Sequence, residues 1–567
     1  MRVKKSFICS IVLIILISSL FAQASTSLTE QMIKKRITAI EKNIQKVKVE
    51  LEQKTSMGFN VEQEKVLNNL LLAESFLTEA DEYLLRDDLF EAELRVVFAE
   101  NMLQKSLVFL STTPVVEGRV ISIDANTLSQ KAINNKISDL VEEVASTNFN
   151  TIFVEVIRGD GYSVYPSAFQ LQADELKGKD PLKELVEQAK LHDIDVFPWL
   201  KVFFASSNGT PGPILEKHPE WTALDRNGYG YEKAGLAWFS PAHPEARDFI
   251  YNSVMELFEL YDFSGCQLDY VRYPVNLTED NDFSYDLYSR ELFKTFYGVD
   301  PLDIPYYPYG LRVQPDYQRG DHGSLYVSWL AFREELVSSM VGRISIGLRE
   351  KTPDLPISAG IITALWGGGT IQQAWFRQQK WPDWLERHFV NFLSPMIYQD
   401  DSSVVDREVQ AIASIAKGQA LQYPSLGVYV MKNPYQLIEQ IDIVRKNNIA
   451  GMRVFAYPHL QEEHFRALKE GPFREKAFPP HRDPLKAAIL RVEELMTIFS
   501  DEEDLALLYR DLQRVPQEHG SLRYISLQRA IKRTERLIDH KNPRIDYEME
   551  YVKSYLDALL YWERPYK

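Results

Sequence analysis

Between residues 117 and 457, eight short runs rich in β-branched and aromatic residues occur in series, most of them separated by an amphipathic helical stretch. They span 119–125, 151–157, 194–202, 265–271, 356–362, 391–398, 425–430 and 451–457. Parallel strands need long crossovers, and an intervening helix supplies one. Eight such units predict an α/β chain closed as a (β/α)8 barrel, flanked by helical segments. In that architecture the functional mouth lies at the C-terminal ends of the strands.

The fourth run makes the strongest statement about that mouth. Gly265-Cys266-Gln267-Leu268-Asp269-Tyr270-Val271-Arg272-Tyr273-Pro274 carries an apolar strand into a carboxylate, then adds two tyrosines, an arginine and a proline stop. Unpaired charges are costly to bury, so a strand made only for packing would not end this way. Other strand ends add Asp124 on the first; Glu155, Arg158, Asp160 and Tyr165 on or after the second; Trp199 and Lys201 on the third. Trp366 follows the fifth, and Tyr398, Asp400 and Asp401 end the sixth. Long loops contribute Trp221, Trp238, Tyr306, Tyr307 and Tyr309. Aromatic faces stack on sugar rings while carboxylates and arginine hold hydroxyls, so this concentration suits a carbohydrate cleft. Each aromatic alone would serve equally well as packing.

The flanks read differently. Residues 1–24 have the form of a secretory leader, with Arg2, Lys4 and Lys5 before an apolar run and Ala22-Gln23-Ala24 as a small-x-small cleavage site. An uncleaved leader tethering the protein to a membrane is the alternative, although the run is short for a span. Either way export to a periplasmic or extracellular location is expected. Loss of the leader removes Cys9 and leaves Cys266 alone, so no internal disulfide is expected. Helical periodicity (Ile33, Ile37, Ile40, Ile44, Val47, Leu51) predicts an N-terminal helical domain over 25–114, with the barrel over 115–475. A C-terminal helical domain is expected over 484–567, with helices near 484–499, 522–538 and 545–561, and Pro479-Pro480 in the linker before it. The net charge of −16 argues against a nucleic-acid surface, which needs clustered Lys and Arg. No Cys/His metal spacing and no Gly-x-Ser-x-Gly elbow is present, and no cofactor is expected.

Several segments resemble the glycosyl hydrolase-like 10 family: RVISIDA at 119–125, NTIFVEVIRGDGYSVYPS at 150–167, DVFPWL at 195–200 and His218-Pro219-Glu220-Trp221. WFSPAHPEARD at 238–248, DYVRYP at 269–274 and DWLERHFVNFLSPMIY at 383–398 continue the resemblance in order. It implies a secreted bacterial (β/α)8 glycosidase acting on a polysaccharide, in some cases a cell-wall glycan. The more distant amylase-like barrels carry an arginine two residues before the fourth-strand nucleophile and a glutamate at the end of the fifth strand. Here Gln267 and the Ile361-Ile362-Thr363 stretch occupy those places, and Glu155 stands where many relatives have Gln. The resemblance therefore leaves the proton donor unassigned.

Glycoside hydrolysis normally takes two carboxyls, one donating a proton to the leaving oxygen and one attacking or activating water. Asp269 is the expected nucleophile or base. Asp400 or Asp401 is the first choice for proton donor and Glu155 the second, its apolar neighbours Val154 and Val156 favouring a neutral carboxyl. Substrate positioning is expected from Asp124, Arg158, Asp160, Tyr165, Trp199, Tyr270, Arg272, Tyr273, Trp366 and Tyr398. The alternative is a non-catalytic carbohydrate-binding or scaffold protein on a degenerate barrel.

Overall fold

The computed structural model describes residues 29–274, 279–306, 324–363, 377–538 and 542–563, in two compact units that divide after Leu110. The leader, Trp366, Tyr307 and Tyr309 lie outside the described residues. Among the described residues no helix is long and apolar enough to cross a membrane.

Among its described residues the first unit holds three helices, Glu30–Ser56, Gln63–Leu85 and Leu89–Leu110. Thr29 caps the first, its hydroxyl accepting from the Met32 amide at 3.3 Å. The stripe Ile33, Ile37, Ile40, Ile44, Val47 and Leu51 is buried against Val66, Leu70, Leu77, Val96 and Leu103 of the other two, as the three- and four-residue spacing requires.

The second unit is built on parallel strands β1 (Gly118–Ile123), β2 (Thr151–Glu155) and β3 (Asp195–Lys201). A small antiparallel ribbon of β4 (Phe204–Ser206) and β5 (Ala237–Trp238) follows in the loop after β3. The parallel series continues with β6 (Cys266–Asp269), β7 (Ile357–Ile362), β8 (Phe392–Ile397), the short β9 (Leu421–Gln422), β10 (Ser425–Gly427) and β11 (Gly451–Phe455). The order β10-β11-β1-β2-β3-β6-β7-β8 closes because β10 also pairs with β8, giving an eight-stranded parallel barrel.

Inward side chains fall into layers. At the N-terminal end the rings of Phe153, Phe197, Phe392 and Tyr423 meet with centroids 5.2 to 6.3 Å apart. Above them the layer turns polar: Ser122, Gln267, Ser358, Ser394, Ser425 and Arg453 are buried there around Trp199. The uppermost layer carries Glu155, Lys201, Asp269 and Phe455.

The base of the barrel is closed by the chain's own C-terminal segment. His481 enters beneath the aromatic layer, its ring 5.2 Å from Phe197 and 5.7 Å from Phe392, with Nδ1 2.9 Å from the Tyr423 hydroxyl and Nε2 3.1 Å from Asp195 Oδ2. Residues read from sequence as a linker therefore form a plug. Four helices follow: Pro484–Ile498, Glu503–Arg514, Gly520–Ile538 and Pro543–Trp562. Their apolar faces share one core with Val116, Val120, Phe153, Phe197 and Phe392 of the barrel. Arg491, buried in that core, donates to the Val116 carbonyl at 2.7 Å and pairs with Glu548.

Candidate active site at the barrel mouth

Asp269 is the last residue of β6 and is 5% exposed. The Trp199 indole nitrogen donates to its Oδ2 at 2.8 Å and the Tyr270 amide to its Oδ1 at 2.7 Å, so the chain itself fixes both oxygens. Tyr270 adopts φ +51°, a left-handed conformation that a bulky residue rarely takes and that the surrounding structure must hold in place. That turn is what points the amide back at the carboxylate. Facing Asp269 on β7, Gly360 has no side chain, and a Cβ there would approach the Asp269 carboxyl carbon to 3.2 Å. The absence of a side chain at Gly360 therefore makes room for the Asp269 carboxyl and the Gln267 amide.

Beside Asp269 in the β3–β6 register stands Lys201, whose ammonium pairs with Glu155 at the end of β2. The second Glu155 oxygen accepts the Ala125 amide at 2.8 Å. Both oxygens of this carboxylate are therefore engaged by donors. Beneath, Arg453 of β11 lies with its guanidinium 4.8 Å from the Trp199 ring centre. Burial pushes Arg453 down from the ordinary arginine range, opposed by Tyr398, Asp269 and Glu155. Burial, then the Asp269 charge, pushes the Tyr270 hydroxyl above its ordinary value, so it is a neutral phenol.

The rim is aromatic. Tyr398 stacks on Phe455 at 5.0 Å and meets Tyr429, which is 49% exposed. On the opposite side the β4–β5 ribbon brings Phe204 and Trp238 to within 5.1 and 5.6 Å of Tyr270. Arg272 lies over both Trp238 and Tyr270, at 4.8 and 5.1 Å, and donates to the Tyr273 carbonyl at 3.1 Å.

The structure thus brings Asp269, Glu155, Trp199, Tyr270, Arg272 and Tyr398 together at the mouth. The remaining expected residues make the following contacts. Asp124 caps the helix Ala125–Ile133 through the Thr127 amide and hydroxyl, at 2.9 and 2.6 Å. Arg158 is held by Asp160 at 2.6 Å and by Glu175. Tyr165 is buried with its ring 6.0 Å from Tyr261, and Tyr273 is buried with its hydroxyl 2.8 Å from Ser284. Asp401 caps the helix Ser402–Ala416, and the Ser403 hydroxyl, followed by the Ser403 amide, holds its carboxyl below the usual range. Asp400 is half exposed and pairs with Lys432 at 3.1 Å. Cys266, buried on β6, is pushed up by burial and is an inert thiol. Among the described residues no cluster of three or more His, Cys, Asp or Glu side chains is placed to hold a metal.

Sequence reasoning missed Arg453 and Phe455. The signal was present, because an arginine inside the apolar run Gly451-Met452-Arg453-Val454-Phe455 is the same anomaly that singled out Asp269.

Residues 114–443, more than half of the chain, match the family described as "Glycosyl hydrolase-like 10". The chain belongs to the glycosyl hydrolase-like 10 family. Among curated proteins it is 25% identical over 182 residues to "Glycosyl hydrolase YngK" of Bacillus subtilis (strain 168), covering 29% of this chain and 34% of that protein. It is 24% identical over 178 residues to "Glycosyl hydrolase DigH" of Escherichia coli (strain K12), covering 29% of this chain and 40% of that one. The matched stretch therefore spans well under half the length of either relative. Among solved structures, α-L-fucosidase isoenzyme 2 from Paenibacillus thiaminolyticus aligns with TM-score 0.44 and 14% identity over 62% of this chain and 48% of that chain.

Proposed function

We propose that this family member is an exported glycoside hydrolase that cleaves O-glycosidic bonds of a polysaccharide by carboxylate chemistry, with Asp269 as nucleophile or base. The observation that carries the reading is the fixed orientation of Asp269: a carboxylate at a strand's C-terminal end, locked by an indole and by an amide from a left-handed turn, under an aromatic rim. A catalytic group must be held within a fraction of an ångström of its working geometry, and two donors on one carboxylate supply that constraint.

Of the carboxylates considered for proton donation, Asp401 is held ionised by its cap and Glu155 is engaged by Lys201 and the Ala125 amide. By elimination Asp400, three residues beyond the end of β8 and paired with the exposed Lys432, is our choice. Tyr398, Phe455 and Tyr429 are proposed to stack on sugar rings, and Arg272 to hold a hydroxyl.

The test is product release from a polysaccharide panel, with peptidoglycan stripped of its peptides among the first substrates, read by mass spectrometry. Asp269→Asn is expected to fold and to lose about 10³-fold or more in hydrolysis, in line with the ~10²- to 10⁴-fold weight of acid–base groups. Asp400→Asn is expected to spare aryl glycosides whose leaving group needs no proton. Residual Asp269→Asn activity within about tenfold of the native enzyme rejects the assignment. The second reading, carbohydrate binding without hydrolysis, draws on the engagement of Glu155 and Asp401 by other groups. It predicts glycan binding with no product from either form.

A further inference from the structure

The interior of the barrel contains a charge that the proposed reaction does not use. Arg453 is completely buried in the polar layer beneath the mouth. Its Nε donates to Ser122 Oγ at 2.5 Å, and its guanidinium lies over Trp199, Phe153 and Phe455 at 4.8, 5.2 and 5.4 Å. Nη1 and Nη2 are buried with no hydrogen-bond partner among the described residues. A buried cation in this state is expensive unless an opposite charge compensates it.

The charges around it identify the compensating group. Four ionisable side chains of alternating sign face this interior: Glu155 on β2, Lys201 on β3, Asp269 on β6 and Arg453 on β11, with the Tyr398 phenol above. Lys201 and Glu155 pair directly. That leaves Asp269 and Arg453, which make no direct ion pair but are joined through one side chain, Trp199. The guanidinium sits over its ring, and its N–H is the donor to Asp269. A cation on an indole face draws electron density from the ring and makes the N–H a stronger donor, so the two contacts reinforce each other.

We propose that Arg453 is the buried counter-charge and positioning residue of Asp269, acting across the Trp199 indole to hold the carboxylate in its working orientation. The catalytic consequence rests on the reading of Asp269 given above; the charge coupling does not. Removing Arg453 strands the Asp269 charge in the interior, and neutralising Asp269 relieves that loss.

The experiment is a thermal-unfolding cycle on the full chain at neutral pH with Arg453→Met, Asp269→Asn, the double variant, and Arg453→Met combined with Glu155→Gln. The double Arg453→Met/Asp269→Asn protein is expected to melt above Arg453→Met alone, and by more than the combination with Glu155→Gln does. If Arg453→Met yields no folded protein, recovery of folding by Asp269→Asn is the equivalent expected result. A double variant that melts at or below Arg453→Met, remains unfolded, or is rescued better by Glu155→Gln overturns the proposal. On a cleaved substrate, Arg453→Lys is expected to retain more kcat than Arg453→Met, which loses about tenfold to a hundredfold with KM little changed. Equal kcat in the two also overturns it. Should the native protein hydrolyse nothing, the hydrolase reading fails while the melting cycle still decides the coupling.

Discussion

Replacing Trp199 by Phe tests the orientation of Asp269 with little disturbance of packing. The phenyl ring keeps an aromatic face toward Arg453 and Phe455, which the indole meets at 4.8 and 5.7 Å, and only the N–H and part of the ring are lost. Asp269 Oδ2, on a residue 5% exposed, then has no indole donor at 2.8 Å. A hydrogen bond to a buried charged group contributes about 1.5 to 3 kcal/mol. If the bond is retained or strengthened in the transition state, the same energy appears as a ~10- to 10²-fold fall in kcat/KM. Urea denaturation followed by tryptophan fluorescence and far-UV circular dichroism reads the stability term, and initial rates on a cleaved oligosaccharide read the other. A variant that loses stability by this amount but keeps kcat/KM within about twofold would show that the indole serves the fold alone. One that changes neither would refute the hydrogen bond's importance.

Two further outcomes follow from groups away from the mouth. Burial raises the Glu334 carboxyl from 4.5 to about 7 despite nearby Lys380, so the folded state holds this proton more tightly than the unfolded chain. Its contribution to stability is therefore lost as pH rises from about 4.5 to about 7. Glu334→Gln is expected to raise the unfolding free energy at pH 8 by at most about 3 kcal/mol, seen as a higher melting temperature, with no gain at pH 4; equal gains at both values would contradict this. His481→Ala removes a ring packed on Phe197 and Phe392 together with its links to Tyr423 and Asp195. Truncating a buried ring of this size costs about 3 to 5 kcal/mol, so the urea midpoint should fall clearly, and an unchanged midpoint would show that the plug is dispensable.

The barrel was legible because its strands are short runs rich in β-branched and aromatic residues, most of them separated by an amphipathic helical stretch. Strand ends were less so: the run expected over 425–430 is strand only over Ser425–Gly427, after which Val428–Val430 forms a single 3-10 turn. The β4–β5 ribbon escaped notice because three and two residues are too few for an alternating pattern to register. The helix Glu503–Arg514 carries Leu505, Leu508 and Leu512 on one face, but its charged residues hid that stripe among loop-like sequence. Asp269 announced itself as a carboxylate ending an apolar strand. Which of the remaining acids was free for chemistry could not be read, since Asp124 and Asp401 as helix caps and Glu155 as a partner of Lys201 depend on what lies opposite them in space. The plug was hidden for a related reason, because a proline-rich, charged stretch reads as a connector until Asp195 and Tyr423 are seen to receive His481.

The C-terminal closure of the barrel sets the order in which the protein can be made. Asp195 waits for His481, and the Val116 carbonyl waits for Arg491, partners separated by 286 and 375 residues. Contacts of such long range form late and slow folding, because the intervening chain must be ordered before they reward it. A chain emerging N-terminus first can form its early strands and helices, yet the aromatic layer at the barrel's base stays open to water until the final helices arrive. A ribosome that has not released those helices thus holds a chain that cannot finish folding. The same delay leaves Phe153, Phe197 and Phe392 exposed for the longest interval of synthesis, making that layer the surface a chaperone would have to cover.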